Sequence, residues 1–237
     1  MKKQVSKKHF SFILIILFSV LILASSCNKE ASGETGKKPP PMGSTIIYTD
    51  VKPDSVIFKD SAILKMGPAS SFSLDLNNDG INDFQFNSTK RLCGDGLSAP
   101  TVNRLYISVQ PASGGVAIMT NNVIPSISDL GAAFDSAVVI APGSLWVSTS
   151  RVLLSGASWG SMRCMFPMGY WLNVSDKYLG LKFIKGNSTY YGWARLTSSY
   201  YSAPFGIYRH LTGGQLILKD YAYNSTPNQP ILAGQTK

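Results

Sequence analysis

Apolar positions along the chain fall into two regimes. Residues 10–23 form an almost unbroken apolar run of about 14 residues, short of the roughly 20 that a membrane-spanning helix needs. From residue 45 onward the pattern changes to short runs rich in β-branched and aromatic residues, separated by turn chemistry, which is how strands read. Runs at 45–48, 55–58, 71–74, 84–87, 104–109 and 116–119 predict strands in the first half. Runs at 137–140, 145–147, 152–154, 179–184, 189–197, 205–209 and 215–223 predict strands in the second. Between them lie Pro53-Asp54, Asn78-Asp79-Gly80, Ser113-Gly114-Gly115, Pro142-Gly143, Gly186-Asn187 and Gly213-Gly214, residue types that set up turns. Only 127–134 is compatible with a short helix. Many short strands punctuated by Gly and Pro predict an all-β domain, a β-sandwich or jelly roll.

The first apolar run has a context of its own. Lys2, Lys3, Lys7 and Lys8 precede it and no acidic residue does. Leu23-Ala24-Ser25-Ser26-Cys27 ends it. A basic start, a short apolar stretch and small residues before a cleavage point describe a secretory signal. The last three positions before the cysteine resemble a bacterial lipobox. On this reading residues 1–26 are a signal peptide, and Cys27 is the mature N-terminus. Its acyl chains would hold the protein on a lipid bilayer, since several chains anchor stably where one is marginal. An uncleaved signal anchor is the alternative. Cys27-Asn28-Lys29-Glu30 resembles the Cys-x-Lys-acidic start of surface lipoproteins in Bacteroidetes-type bacteria. That resemblance implies export to the bacterial outer membrane and favours the cell surface.

Composition follows from this cleavage. The whole chain carries 22 basic and 13 acidic side chains, a net +9. Removal of residues 1–26 takes four lysines and no acids, leaving 18 against 13 and a balance of +5. The remaining basic residues are scattered, whereas nucleic-acid binding shows a concentrated basic stripe, so no nucleic-acid partner is expected. Residues 27–44, with Pro39-Pro40-Pro41 and three glycines, read as the lipidated cysteine and a semi-extended tether. Residues 45–237 are then one domain, of ordinary size for a β-sandwich. Cys93 and Cys164 are the other cysteines. They could pair in an oxidising compartment, or stand as buried free thiols.

The strongest chemical motif is Asp75-Leu76-Asn77-Asn78-Asp79-Gly80-Ile81-Asn82-Asp83. Asp75, Asn77, Asp79 and Asp83 place oxygens at positions 1, 3, 5 and 9, and Ile81 offers a backbone carbonyl at position 7. Such spacing wraps oxygen ligands around one Ca²⁺, and Gly80 permits the sharp turn. Phe86 stands where an EF-hand has its Glu, and strand-like runs flank the loop. It is therefore similar to the Asp-x-Asn-x-Asp-Gly-x-x-Asp loops of extracellular β-proteins, integrin-type repeats included. A structural Ca²⁺ site is expected, because three carboxylates and no histidine suit a hard cation. A turn held by Asx hydrogen bonds without metal is the alternative.

Gly156-Ala157-Ser158-Trp159-Gly160 matches the Gly-x-Ser-x-Gly elbow, and Asp176 and His210 follow in triad order. Ser158 would attack, His210 would take its proton and Asp176 would orient the imidazole. The elbow needs a helix after the serine, but Phe166-Pro167-Met168-Gly169 and predicted strands follow. A hydrolase acting on glycans or esters is thus an alternative and not the leading expectation. His210 is the only histidine after the signal, which excludes a multi-histidine metal site. Late aromatic residues are abundant, and Tyr200-Tyr201 is a candidate carbohydrate platform, because neighbours in a strand face opposite sides.

Several segments together resemble a group of exported lipoproteins of Bacteroidetes-type bacteria. They are Ile46-Ile47-Tyr48 with Asp50 and Pro53-Asp54, the 75–83 loop, Lys177-Tyr178-Leu179-Gly180-Leu181-Lys182-Phe183, and Tyr191-Gly192-Trp193-Ala194-Arg195-Leu196. The end, Asp220-Tyr221-Ala222-Tyr223 with Pro230-Ile231-Leu232-Ala233-Gly234, completes the set. The resemblance implies class and location and no particular activity. The expectation is a membrane-anchored lipoprotein with a structural or ligand-binding role; a secreted hydrolase and a carbohydrate-binding module are the alternatives.

Overall fold

The computed structural model describes residues 45–60, 70–93, 102–121, 130–155, 169–205 and 208–237. Its elements are all strands: β1 (Ile46–Asp60), β2 (Ser70–Leu74), β3 (Phe84–Cys93), β4 (Val102–Pro111), β5 (Gly115–Met119), β6 (Val139–Ile140), β7 (Trp146–Val147), β8 (Arg151–Ser155), β9 (Val174–Lys185), β10 (Ser188–Phe205), β11 (Tyr208–Asn224) and β12 (Ile231–Leu232). A six-stranded sheet runs β1-β11-β10-β9-β5-β7, a four-stranded sheet runs β2-β3-β4-β8, and β12 pairs with β6. Every pairing is antiparallel.

The two large sheets share one core, which makes the domain a β-sandwich. Leu74, Phe84, Phe86, Leu105, Ile107 and Val109 come from the four-stranded sheet. Leu179, Leu181, Phe183, Ala194, Leu196, Leu216 and Leu218 meet them from the six-stranded sheet. The period-2 spacing of these residues puts them on one face of each strand. Trp171 closes the core from the segment before β9, and its Nε1 donates to the Gly131 carbonyl at 3.1 Å.

The six-stranded sheet is covered on its other face as well. Tyr191 and Trp193, odd-numbered neighbours of core residues, pack with Met119, Ala222, Ile140, Ile231 and Ala233 in a second cluster. The covering layer is the β6–β12 ribbon and the chain's end. Ala233 accepts from the Ala137 amide at 2.8 Å and donates to the Val138 carbonyl at 2.9 Å. Asn224 donates to the Pro230 carbonyl at 2.9 Å, pinning the turn into the ribbon. β10 is thus a middle layer, and Tyr191, Gly192, Trp193 and Ala194 are all buried.

Several local expectations are corrected. Pro53-Asp54 does not end a strand; β1 continues through it, and its register with β11 shifts between Asp50 and Ser55. Residues 130–134 are not helical: Phe134 makes a single bridge with Tyr178, and 127–129 lie outside the described residues. The 205–209 run is the end of a hairpin, with Phe205 opposite Tyr208, and Gly213-Gly214 is not a turn: β11 runs through it, opposite Tyr201 and Tyr200. β12 carried no strand signal at all, because two residues are too few to show alternation.

The ribbon's contribution is measurable. Ile231 is buried among aromatic rings whereas Val139, on the same ribbon, is 53% exposed. Ile231→Ala is expected to cost about 2–4 kcal/mol in urea unfolding, and Val139→Ala less than about 0.5 kcal/mol. Equal effects would mean that the ribbon does not cover the sheet.

Candidate functional site

Irregularities in three strands line up across the six-stranded sheet. Residues 51–54 of β1 and Lys219 of β11 are both skipped where Asp50 and Ser55 pair with Asp220 and Leu218. Lys219 is again the extra residue where Arg195 and Leu196 of β10 pair with Asp220 and Leu218. Ser175 and Asp176 of β9 stand against Thr197 alone. A bulge re-aims side chains and increases local twist. The Lys219 bulge reverses the facing of β11: Leu216 and Leu218 point into the core before it, and Tyr221 does after it. Asp220 and Ala222 consequently face the covering layer.

The line of bulges gathers a charged network around Arg195. The Arg195 Nε donates to Asp220 Oδ1 at 2.9 Å, and Nη2 bonds Asp220 Oδ2, closing a bidentate pair. Nη1 reaches Asp176 Oδ1 at 3.4 Å. Lys219 Nζ crosses over β10 to the same Asp176 oxygen at 2.9 Å. The Tyr48 hydroxyl donates to Asp220 Oδ2 at 2.9 Å. Asp220 is 4% exposed as a side chain, Arg195 31% and Asp176 47%. Burial, reinforced by the bond to Asp220, pushes the Tyr48 hydroxyl up to about 12, so it stays a donor. The bond to Asp220 pushes the Arg195 guanidinium further into its charged form. Trp193 lies alongside, edge-on to Tyr178 at 5.2 Å and 6.2 Å from the Tyr48 ring.

The 75–83 loop, between β2 and β3, is the second candidate. Asp75 caps its turn: Oδ1 accepts from the Asp79 amide at 3.2 Å and Oδ2 from the Gly80 amide at 2.7 Å. Asp79 Oδ1 accepts from the Ile81 amide at 3.0 Å, and its Oδ2 lies 3.5 Å from Lys185 Nζ. Asn78 and Gly80 take positive φ, 57° and 87°, the conformation that Asn and Gly tolerate best. Asp83 is buried. Its Oδ2 accepts from the Leu76 amide at 2.8 Å, while its Oδ1 and the Asn77 Oδ1 are buried with no hydrogen-bond partner. Burial, then the charges of Asp75 and Asp79, push the Asp83 carboxyl up to about 6. The β4–β5 turn closes over it: a Cβ on Gly114 would stand 2.2 Å from Asp83 Oδ1, and one on Gly115 1.9 Å from the Asp83 carbonyl. Among the described residues no three carboxylate, histidine or cysteine side chains are drawn together as a ready metal set. The loop's acidic oxygens are instead spread over its own backbone amides.

The remaining predicted residues divide. Ser158, Cys27 and Cys164 lie outside the described residues. Cys93 ends β3, opposite Val102. Asp176 belongs to the Arg195 network. His210 pairs in register with Ala203, six residues along β10 from Thr197, whose hydroxyl takes the Asp176 amide. That separates the two backbone positions by roughly 20 Å, where a triad needs about 3 Å between its side-chain partners. Tyr200 packs against the core and Tyr201 is 43% exposed. Of the residues around Arg195, sequence motifs point only to Asp176, and to it in a different role. Tyr48, Tyr178, Trp193, Arg195 and Asp220 come from four strands, β1, β9, β10 and β11.

Fold and site together define an antiparallel β-sandwich with an ion network on the outer face of its larger sheet. No family model, no curated protein and no solved structure matches the chain.

Removing the cation from the network is expected to be costly because Asp220 is buried. Arg195→Met should lose about 2–3 kcal/mol, and Arg195→Met with Asp220→Asn should recover much of it. Simple additivity of the two changes in chemical denaturation would refute the coupling. The Asp83 carboxyl gives a pH signature. Its folded value lies above the ordinary 3.8, so protonation favours the folded state. That contribution is complete below about 4 and is lost as pH rises through about 6. In Ca²⁺-free buffer the wild type should lose about 2–3 kcal/mol over this window relative to Asp83→Asn. A constant difference between the two would show that the carboxyl titrates normally.

Proposed function

We propose that the chain is an exported lipoprotein whose acylated Cys27 anchors it to the bacterial outer membrane. Residues 1–26 direct export and are removed, and 28–44 tether the β-sandwich. The domain's role is structural or ligand-binding, and Ca²⁺ in the 75–83 loop stabilises it. The observation that carries the calcium reading is the pair of buried, partnerless acceptors, Asn77 Oδ1 and Asp83 Oδ1, inside a loop of Ca²⁺-ligand spacing. A buried acceptor without a donor is destabilising, and a cation bound by both would relieve them.

Asp75, Asn77, Asp79 and Asp83 would hold the ion by side-chain oxygens, and Ile81 by its carbonyl. The amide bonds of Asp75 and Asp79 do not exclude this, because each carboxylate oxygen keeps a further lone pair. The ion would supply charge balance for the three aspartates and tie β2 to β3. The loop also touches the larger sheet, where the Tyr221 hydroxyl donates to Asn78 Oδ1 at 3.0 Å. An exported domain meets Ca²⁺ concentrations at which weak sites fill.

Two measurements test the two halves. Protein from the native host should give an intact mass showing loss of residues 1–26 and acyl chains on Cys27, and Cys27→Ser should lack both. Saturating Ca²⁺ should raise Tm by about 5–10 °C over EDTA, and Asp79→Asn should abolish most of the gain. A Tm indifferent to Ca²⁺ and EDTA would reduce the loop to a turn.

A further inference from the structure

The Arg195 network leaves an ordered polar surface beside an exposed ring. Tyr48 is 38% exposed, and its hydroxyl is held by Asp220. Around it lie alternating charges that neutralise one another: Asp50 with Lys52 at 2.6 Å, and Asp220, Arg195, Asp176 and Lys219 in a chain. These bonds hold the groups in place without using all their capacity. The guanidinium and the ammonium have more N–H donors than the bonds consume, and each carboxylate has spare lone pairs. Irregularities in β1, in β11 and in β9 on the far side of β10 bring the groups together, and Asp176 sits at a φ of 55°, uncommon for a non-glycine residue. Such irregularities concentrate where side chains are aimed at a task.

The charge pattern selects the ligand class. An anion would meet Asp176, Asp220 and Asp50 beside each cation. A metal ion would meet Arg195, Lys219 and Lys52 among the carboxylates. A neutral ligand with many hydroxyls meets neither repulsion. It finds donors and acceptors side by side, and its C–H face can lie on the Tyr48 ring. We propose that Tyr48, Arg195, Asp176 and Lys219 form a binding site for a neutral sugar ring. This site is separate from the calcium loop and from Tyr201, and its test depends on neither.

The full chain, solubilised in a non-glycosidic detergent, would be titrated with cellohexaose, maltohexaose and mannohexaose by calorimetry. Dextran sulfate serves as an anionic comparison. At least one neutral oligosaccharide should bind with sub-millimolar affinity that is insensitive to salt, since a neutral ligand has no charge for salt to screen. Tyr48→Ala should weaken it by at least about tenfold, and Asp176→Asn should weaken it several-fold. Tyr48→Phe, which keeps the ring, should retain most of the affinity, and Tyr201→Ala should change nothing. Circular dichroism of each variant separates loss of binding from loss of fold. Absence of binding by all three sugars at millimolar concentration would overturn the proposal. So would binding of dextran sulfate alone, or full affinity in a folded Tyr48→Ala.

Discussion

A strand buried on both faces has no solvent side on which to leave a polar group. β10 is in that position from Tyr191 to Ala194, with the four-stranded sheet against one face and the β6–β12 ribbon against the other. Its sequence there is accordingly aromatic, glycine and alanine, and Gly192 has no room for a side chain: a Cβ would come 2.5 Å from the Ala222 carbonyl. The next residue is Arg195, where the covering layer thins. A guanidinium at such an edge must be paired, and the partners come from both neighbouring strands, Asp220 of β11 and Asp176 of β9. The layering of the domain therefore sets the position of its charged network.

The bulges are how those partners reach Arg195. Without the bulge that takes Lys219 out of register, Asp220 would sit on the core face, where a charge is most costly, because one residue of register shift reverses every side chain beyond it. With it, both Asp220 and Lys219 arrive on the network side, and the aromatic residues of β11 after the bulge still pack inward. The same device in β9 lifts Asp176 to meet two cations at once. One kind of irregularity, repeated in the two strands that flank β10, thus assembles the network.

Much of this fold was legible in local pattern. The core residues of β3, β4, β9 and β11 alternate visibly, and Gly186-Asn187 marks the turn of the β9–β10 hairpin. The Lys219 bulge also left a trace: strong apolar positions are even at Leu216 and Leu218 and odd at Tyr221 and Tyr223. The bulge at 51–54 looked like a chain reversal, because Pro and Asp favour turns and bulges for the same backbone reasons. The 75–83 loop could be located from its spacing, since all its oxygens lie within nine residues. The Arg195 network could not, because Tyr48, Asp176, Arg195 and Asp220 are scattered over 173 positions of the chain. Only the order of the strands makes them neighbours.

By itself, then, the sequence determined what depends on short-range chemistry. It set the strand character of the domain, the turns at 142–143 and 186–187 and the position of the acidic loop. Each of these is governed by residues within a few positions of one another. The tertiary structure alone decided which face of β10 meets which sheet, that the chain's end closes over Trp193, and that Asp176 lies with Arg195 and far from His210. Those outcomes are set by strand order and register, and in an antiparallel sheet these follow from long-range pairing and two-sided burial that no local pattern encodes.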